Sequence, residues 1–334
     1  MSISTAIDVS PKIAVLLIMS LAAGIFPFIS TGYYITVMFT LLLYISLVAG
    51  WNFVGYNGYI NFGQAAFYGW GAYFAAISIS YFNIPFGIAI IIGGIGGMLV
   101  GIVLGLMSLQ LSGHYFSIAS LLLLIISTTV FQNLNDVTGI FGYGQIGQEI
   151  YLSIPKLIPG LSHTHMFYYI MLIVAFAHII GSIWLEQTKY GYGMKAIREG
   201  EVVARGLGVP TFRLKLFAIT ISGFGSAVTG AVYASYYGYV DTGIFFSLGL
   251  TFLIVFMGIV GSMGEWYGPI IGGLIFVPAD TVLTGWGEPE LAQIIFGSIF
   301  VVIILLQPRG LGRYLERRFH QIDTDWRSVI RKGG

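Results

Sequence analysis

Thirty residues, Glu186 to Lys215, carry nine charged side chains, and their spacing suits a surface that another molecule grips. Lys195 and Glu199 stand four apart, as do Glu201 and Arg205, the second pair in the better order with the acid first. Each such pair adds about 0.2–0.5 kcal/mol to a helix. Met194, Ile197, Val202 and Val203 set apolar points among the charges, and Gly206, Gly208 and Pro210 end the run. The pattern predicts one helix over Met194–Arg205, roughly 18 Å long, too short and too charged to cross a membrane. A solvated loop helix is the plain reading. A docking element for a soluble partner is the sharper one.

Bond-making chemistry finds little support. His114, His163, His165 and His178 offer bases or ligands, but no His-Glu-x-x-His or Gly-x-Ser-x-Gly element accompanies them. Cysteine is absent, which removes disulfides, thiol nucleophiles and Cys-ligated metals. No catalytic residue and no metal site is expected. Asn57, Asn61 and Gln64 are neutral polar groups inside an apolar region. They suit hydrogen bonds between helices worth about 0.6–2 kcal/mol each.

The elements that must hold these residues are membrane helices. No Asp, Glu, Lys or Arg occurs from Ile13 to Asn135. Charged residues make up 9% of the chain, against about a quarter in soluble domains. Mean hydropathy is +0.87. The expected fold is an all-α polytopic bundle of about ten transmembrane helices (eight to ten), one transmembrane domain over 1–334. Apolar runs fall near 12–30, 33–50, 65–82, 86–111, 115–133, 166–185, 216–237, 244–262, 267–284 and 290–307. Six of the 15 basic residues lie between Lys189 and Lys215, and seven between Arg309 and Lys332. The positive-inside rule puts the 186–215 loop, the basic tail 309–334 and both termini in the cytoplasm, and segment 134–165 outside. So close to a bilayer, the tail is suited to anionic lipid, not nucleic acid. Met1–Pro11 shows no basic leader of a cleavable signal.

Glycine is abundant, at 46 residues. Gly93, Gly97, Gly101 and Gly105 repeat a small-residue spacing that lets helices approach closely. Two glycine-rich interruptions, Gly55–Gln64 and Gly258–Gly264, divide apolar regions in the two halves of the chain. They read equally well as ordinary interhelical loops or as broken helices that meet solute.

Ala196-Ile197-Arg198-Glu199-Gly200-Glu201-Val202-Val203-Ala204-Arg205-Gly206-Leu207-Gly208 resembles the Ala-Ile-Arg-Glu-x-Glu-x-x-Ala-x-x-x-Gly stretch of branched-chain amino acid ABC-importer permeases of the LivM type. Gly58-Tyr59-Ile60-Asn61-Phe62-Gly63-Gln64-Ala65-Ala66-Phe67 with Gly71-Ala72-Tyr73 resembles a second signature, in which Ser and His usually stand at the positions of Asn61 and Gln64. Gly258–Gly264, Gly268-Pro269-Ile270-Ile271-Gly272 and Gln307–Leu311 are similar to further elements in the same order. The resemblance implies an importer subunit that pairs with a LivH-like second permease and two cytoplasmic ATPase subunits, fed by an extracytoplasmic solute-binding protein. It makes Lys195–Arg205 the coupling helix, with Arg198, Glu199 and Glu201 as polar anchors and Ile197 and Val203 as apolar contacts. It also makes Asn57, Asn61 and Gln64 candidates to meet a zwitterionic solute on the translocation pathway. ATP and magnesium would then be held by the partners, in keeping with the lack of any Gly-Lys dipeptide for a phosphate loop. A urea or short-amide importer is the neighbouring reading. An ion-coupled carrier is the remote one, because Asp280 alone lies in a predicted span.

Overall fold

The computed structural model describes residues 16, 18–108, 111, 113–138, 149–152, 162–285, 294–295, 297–298 and 301–302. The basic tail 309–334, most of the run 290–307 and much of the segment 134–165 lie outside the described residues.

Helices coincide with nine of the predicted runs, because a chain in lipid must satisfy its backbone internally and helices do so within one segment. They are α1 (Ile18–Ile29), α2 (Gly32–Gly55), α3 (Gln64–Ser80), α4 (Phe86–Ser108), α5 (His114–Thr138), α6 (His163–Glu186), α7 (Lys189–Glu199), α8 (Glu201–Gly206), α9 (Thr211–Tyr237), α10 (Thr242–Phe245), α11 (Leu248–Ser262) and α12 (Gly268–Gly285). Among the described residues, six segments are long and apolar enough to cross a membrane: α2, α4, α5, α6, α9 and the stretch Thr242–Ser262. α1 and α12 are shorter apolar helices.

One feature departs from an all-helical reading. β1 (Glu149–Tyr151) pairs antiparallel with β2 (Tyr239–Asp241), with Ile150 opposite Val240. Gly238, at φ +74, ends α9 and turns the chain into β2. The pair lies at the end of the bundle where α6 begins, since His163 stacks on Tyr236 with ring centroids 5.9 Å apart. The other end carries α7 and α8 and is called here the basic end.

The main apolar core gathers side chains of α2, α3, α6 and α11, and the closest backbone packing is where α3, α4 and α9 meet. A methyl group on Gly97 would overlap Ala227 and come 2.7 Å from the Gly223 carbonyl oxygen; one on Gly93 would come 2.6 Å from that of Gly71. The small-residue spacing read from the sequence is therefore a packing face. The opposite face of α4 exposes Ile88, Ile91, Ile95, Leu99 and Val103, three or four residues apart, an apolar stripe whose natural surroundings are lipid.

Residues 56–63 join α2 to α3 at the basic end; of the second interruption, Gly258–Ser262 completes α11, and Met263 and Gly264 open the turn 263–267 that leads to α12.

Candidate functional site: the helix pair at the basic end

The predicted single helix is two. α7 starts at Thr188, whose hydroxyl accepts the Gly191 N–H, and stops at Gly200, where the backbone is extended. A glycine in mid-helix costs about 1 kcal/mol, more than either charge pair can return. The break also turns Glu201 toward the start of α9. Of the two pairs offered by the spacing, Glu201–Arg205 forms, at 2.9 Å.

The inner face of the pair is apolar. Met194, Ile197 and Ala204 are buried with Phe53 and Tyr56 at the end of α2, Leu185 of α6, and Leu214 and Ala218 of α9. Ile197, predicted as a partner contact, thus faces the bundle itself. Lys195 and Arg198 are half-buried, and Glu199 and Arg205 are exposed. Val203 is exposed, as predicted for a contact residue, and so are Val202 and Leu207, at 68%, 85% and 80% respectively. Sequence reading passed over Leu207 because it lies beyond the predicted helix. It noted Val202 but gave it no contact role.

Glu201 is a hub. Its carboxylate accepts hydrogen bonds from Lys215 Nζ at 2.9 Å, from Arg205 Nη2 at 2.9 Å and from the Tyr59 hydroxyl. Lys215 is only 5% exposed and lies 5.1 Å above the Tyr59 ring. Burial pushes the Glu201 carboxyl up, but the bonds from Lys215 and Tyr59 and the lysine charge outweigh it and hold the group below its ordinary range. Tyr59 moves the other way: burial first, then its bond to Glu201, raise the phenol above its ordinary value.

Beneath the pair lie the two glycine turns. Gly58 and Gly264 have φ of +80 and +76, the left-handed region that glycine enters without strain. The Arg198 side chain fills the space that both leave. A methyl group on Gly58 would come 3.0 Å from Arg198 Cγ, and one on Gly264 would collide with Arg198 Nη1. Asn52 of α2 accepts from Gly264 N–H at 2.6 Å and donates to the Glu265 carbonyl at 2.8 Å. Glu186, at the end of α6, accepts from the Tyr56 hydroxyl at 2.9 Å and from Trp266 N–H at 3.0 Å.

The pathway candidates lie just inside. All three are buried. Asn61 donates to Gln64 Oε1 at 2.9 Å, Gln64 donates to Ser226 Oγ, and Ser222 donates to Gln64 Oε1 at 3.2 Å. Further into the bundle Ser46 joins Thr229 at 2.7 Å and His178 Nδ1 at 2.8 Å. The result is a polar seam along α9 against α2, α3 and α6, closed to solvent. Asn57 stands apart: its Oδ1 has no hydrogen-bond partner among the described residues and borders a small void with Tyr59 and Lys215. Nothing in the sequence marked Ser222, Ser226 and Thr229 except their spacing of four and three, which places them along one helix face.

A bundle of apolar helices, a polar seam in its interior and a charged helix pair fixed across interhelical turns fit a membrane transport permease. The chain belongs to the family of branched-chain amino acid transport system permease components, whose model matches residues 33–304. It is 26% identical over 292 residues to the high-affinity branched-chain amino acid transport system permease protein LivM of Escherichia coli, covering 81% of this chain and 68% of that protein. The probable branched-chain amino acid transport permease protein LivM of Methanocaldococcus jannaschii is 26% identical over 243 residues, 67% of each chain. The Escherichia coli permease protein LivH is 26% identical over 153 residues, 46% of this chain and 49% of that one. No solved structure matches.

Proposed function

We propose that this chain is one permease subunit of an ATP-binding-cassette importer for branched-chain amino acids, with its basic end in the cytoplasm and α7–α8 seated on an ATPase subunit. The relatives' names supply the solute. The basic residues supply the orientation, through the positive-inside rule. The carrying observation is the exposure of Val202, Val203 and Leu207 on a helix pair that also bears Lys195, Glu199 and Arg205. Apolar side chains beyond the bilayer, on an element otherwise fixed by hydrogen bonds, fit a surface that a partner covers. Polar anchoring falls to Lys195, Glu199 and Arg205, and apolar contact to Val203 with its two neighbours. Ile197, Arg198 and Glu201 hold the element to the bundle instead.

Two ATPase subunits bind ATP and magnesium. A LivH-like subunit forms the second half of the pathway, and an extracytoplasmic binding protein delivers the solute. Anionic lipid meets the tail and the exposed Arg213 at the start of α9.

The test is co-purification. Val202→Asp, Val203→Asp and Leu207→Asp together should leave the permease in the membrane at wild-type level while recovery of the ATPase subunits falls about 30-fold or more, as loss of a contact centre of at least 2 kcal/mol requires. Undiminished ATPase recovery would refute the assignment. A single cysteine at Val203 in this cysteine-free chain should react only with reagents that reach the cytoplasm. Met194, being fully buried, would report nothing.

A further inference from the structure

We propose that Arg198 is the linkage through which α7–α8 moves the bundle: its side chain is wedged between the Gly58 turn and the Gly264 turn, so a shift of α7 displaces the α2–α3 and α11–α12 pairs together. The proposal rests on reading α7–α8 as the partner-bound element, and it names how that element acts.

The stem of Arg198 lies on Gly58 and its guanidinium on Gly264. One side chain of α7 therefore touches the turns that connect four helices, α2 with α3 and α11 with α12. Both glycines are at positive φ, so a side chain at either would bring backbone strain as well as overlap. The space that Arg198 fills exists only because those positions are glycine.

Polar ties converge on the same two turns. Tyr59, in the first, bonds to Glu201 of α8. Glu186 joins Tyr56 of the first turn to Trp266 of the second. Asn52, at the end of α2, holds Gly264 and Glu265. The two turns thus form one floor, fixed to α2 and α6, and Arg198 enters it from the element above. Packed side chains and hydrogen bonds of this kind carry displacement between rigid helices. A planar, rigid arginine head suits the role, whereas a lysine would keep the stem against Gly58 and lose the contact with Gly264.

The experiment uses the whole importer in liposomes: this chain, the second permease, the ATPase subunits and the binding protein. It reads solute taken up per ATP hydrolysed, with ATPase recovery measured alongside. Arg198→Ala should keep the ATPases bound and hydrolysing within about twofold of wild type while uptake per ATP falls about tenfold, within the usual span of coupling between sites. Arg198→Lys should fall between the two. Gly264→Ala should reproduce the loss from the opposite side, and it carries the test if Arg198→Ala fails to reach the membrane.

An unchanged ratio of uptake to hydrolysis in Arg198→Ala and Gly264→Ala would overturn the proposal. So would loss of the ATPases from Arg198→Ala alone, which would make Arg198 a partner anchor. If the wild-type chain itself retains no ATPase, the underlying reading of α7–α8 falls, and the linkage with it.

Discussion

The α3–α4–α9 contact allows a prediction whose sign reverses within one helix. Gly97 and Gly87 both lie in α4. An alanine methyl at Gly97 would overlap the Ala227 side chain and stand 2.7 Å from the Gly223 carbonyl oxygen, both on α9. Restoring an ordinary separation of 3.5–4.0 Å would push α4 off α9 by roughly 1 Å. That movement loosens the neighbouring close approaches on the same face, Gly93 to the Gly71 carbonyl and Gly101 to the Ile219 carbonyl. Overpacking typically costs about 1–3 kcal/mol, and here the upper end applies because carbonyl oxygens on the facing backbone cannot rotate away. A cost near 3 kcal/mol lowers the folded-to-unfolded ratio roughly 100-fold. At Gly87 nothing lies within 4 Å. Gly87→Ala should therefore be neutral or gain up to about 1 kcal/mol from helix propensity. Reversible unfolding in mixed micelles titrated with a denaturing detergent measures both. Equal midpoints for Gly97→Ala and Gly87→Ala would refute the claim that glycine sets the approach of these helices.

The Glu201 hub gives a pH prediction. Its folded pKa is depressed, so the tie it makes is fully present above the unfolded value, about 4.3, and is lost only as pH falls through the lower folded value. A spin label on Val203→Cys should show constant mobility from pH 6 to 8 and loosen only in acid, whereas Glu201→Gln should be loose throughout. Loosening of the wild-type helix near neutral pH would contradict this. The polar seam gives another prediction. Gln64→Leu removes interhelical bonds of about 0.6–1.7 kcal/mol each. It should lower the unfolding midpoint while leaving uptake per assembled importer within about twofold. A tenfold loss of uptake at unchanged stability would instead place Gln64 on the solute path.

Composition alone made the membrane bundle legible, because a hundred uncharged residues have few other fates. Glycine spacing forecast the packing face of α4 for the same reason: a missing Cβ is a local fact. The charged loop and its family resemblance located the helix pair. Which face of that pair points inward was not legible. Ile197 and Val203 are both apolar points on a charged segment, yet one is buried and the other exposed. A short helix with apolar residues on both its bundle face and its exposed face leaves no single apolar stripe to read. Glu201 looked like a surface anchor because its i,i+4 partner Arg205 is visible in sequence, whereas Lys215 lies across the Pro210 turn and Tyr59 is 142 residues away. The break at Gly200 follows glycine's low helix propensity, which the charge spacing masked, whereas the β1–β2 pair turned on tertiary placement.

The two glycine interruptions looked like places where solute could approach exposed backbone. The structure shows close approach there, but by Arg198. The permissive property is the same in either case, a backbone without Cβ at positive φ, and only the neighbour differs. That difference locates where movement would enter the bundle. α9 begins at the Glu201 hub through Lys215 and carries Ser222, Ser226 and Thr229 of the polar seam on the same helix. At 27 residues it is about 40 Å long. A helix of that length carries a displacement at one end to groups along its side. Its neighbours α3 and α4 are seated closely on it: Gly71, Gly97 and Gly101 let the backbones approach, Phe224 and Val228 lie over Gly94, and Gln64 bonds to Ser222 and Ser226. Movement of α9 would therefore carry α3 and α4 with it.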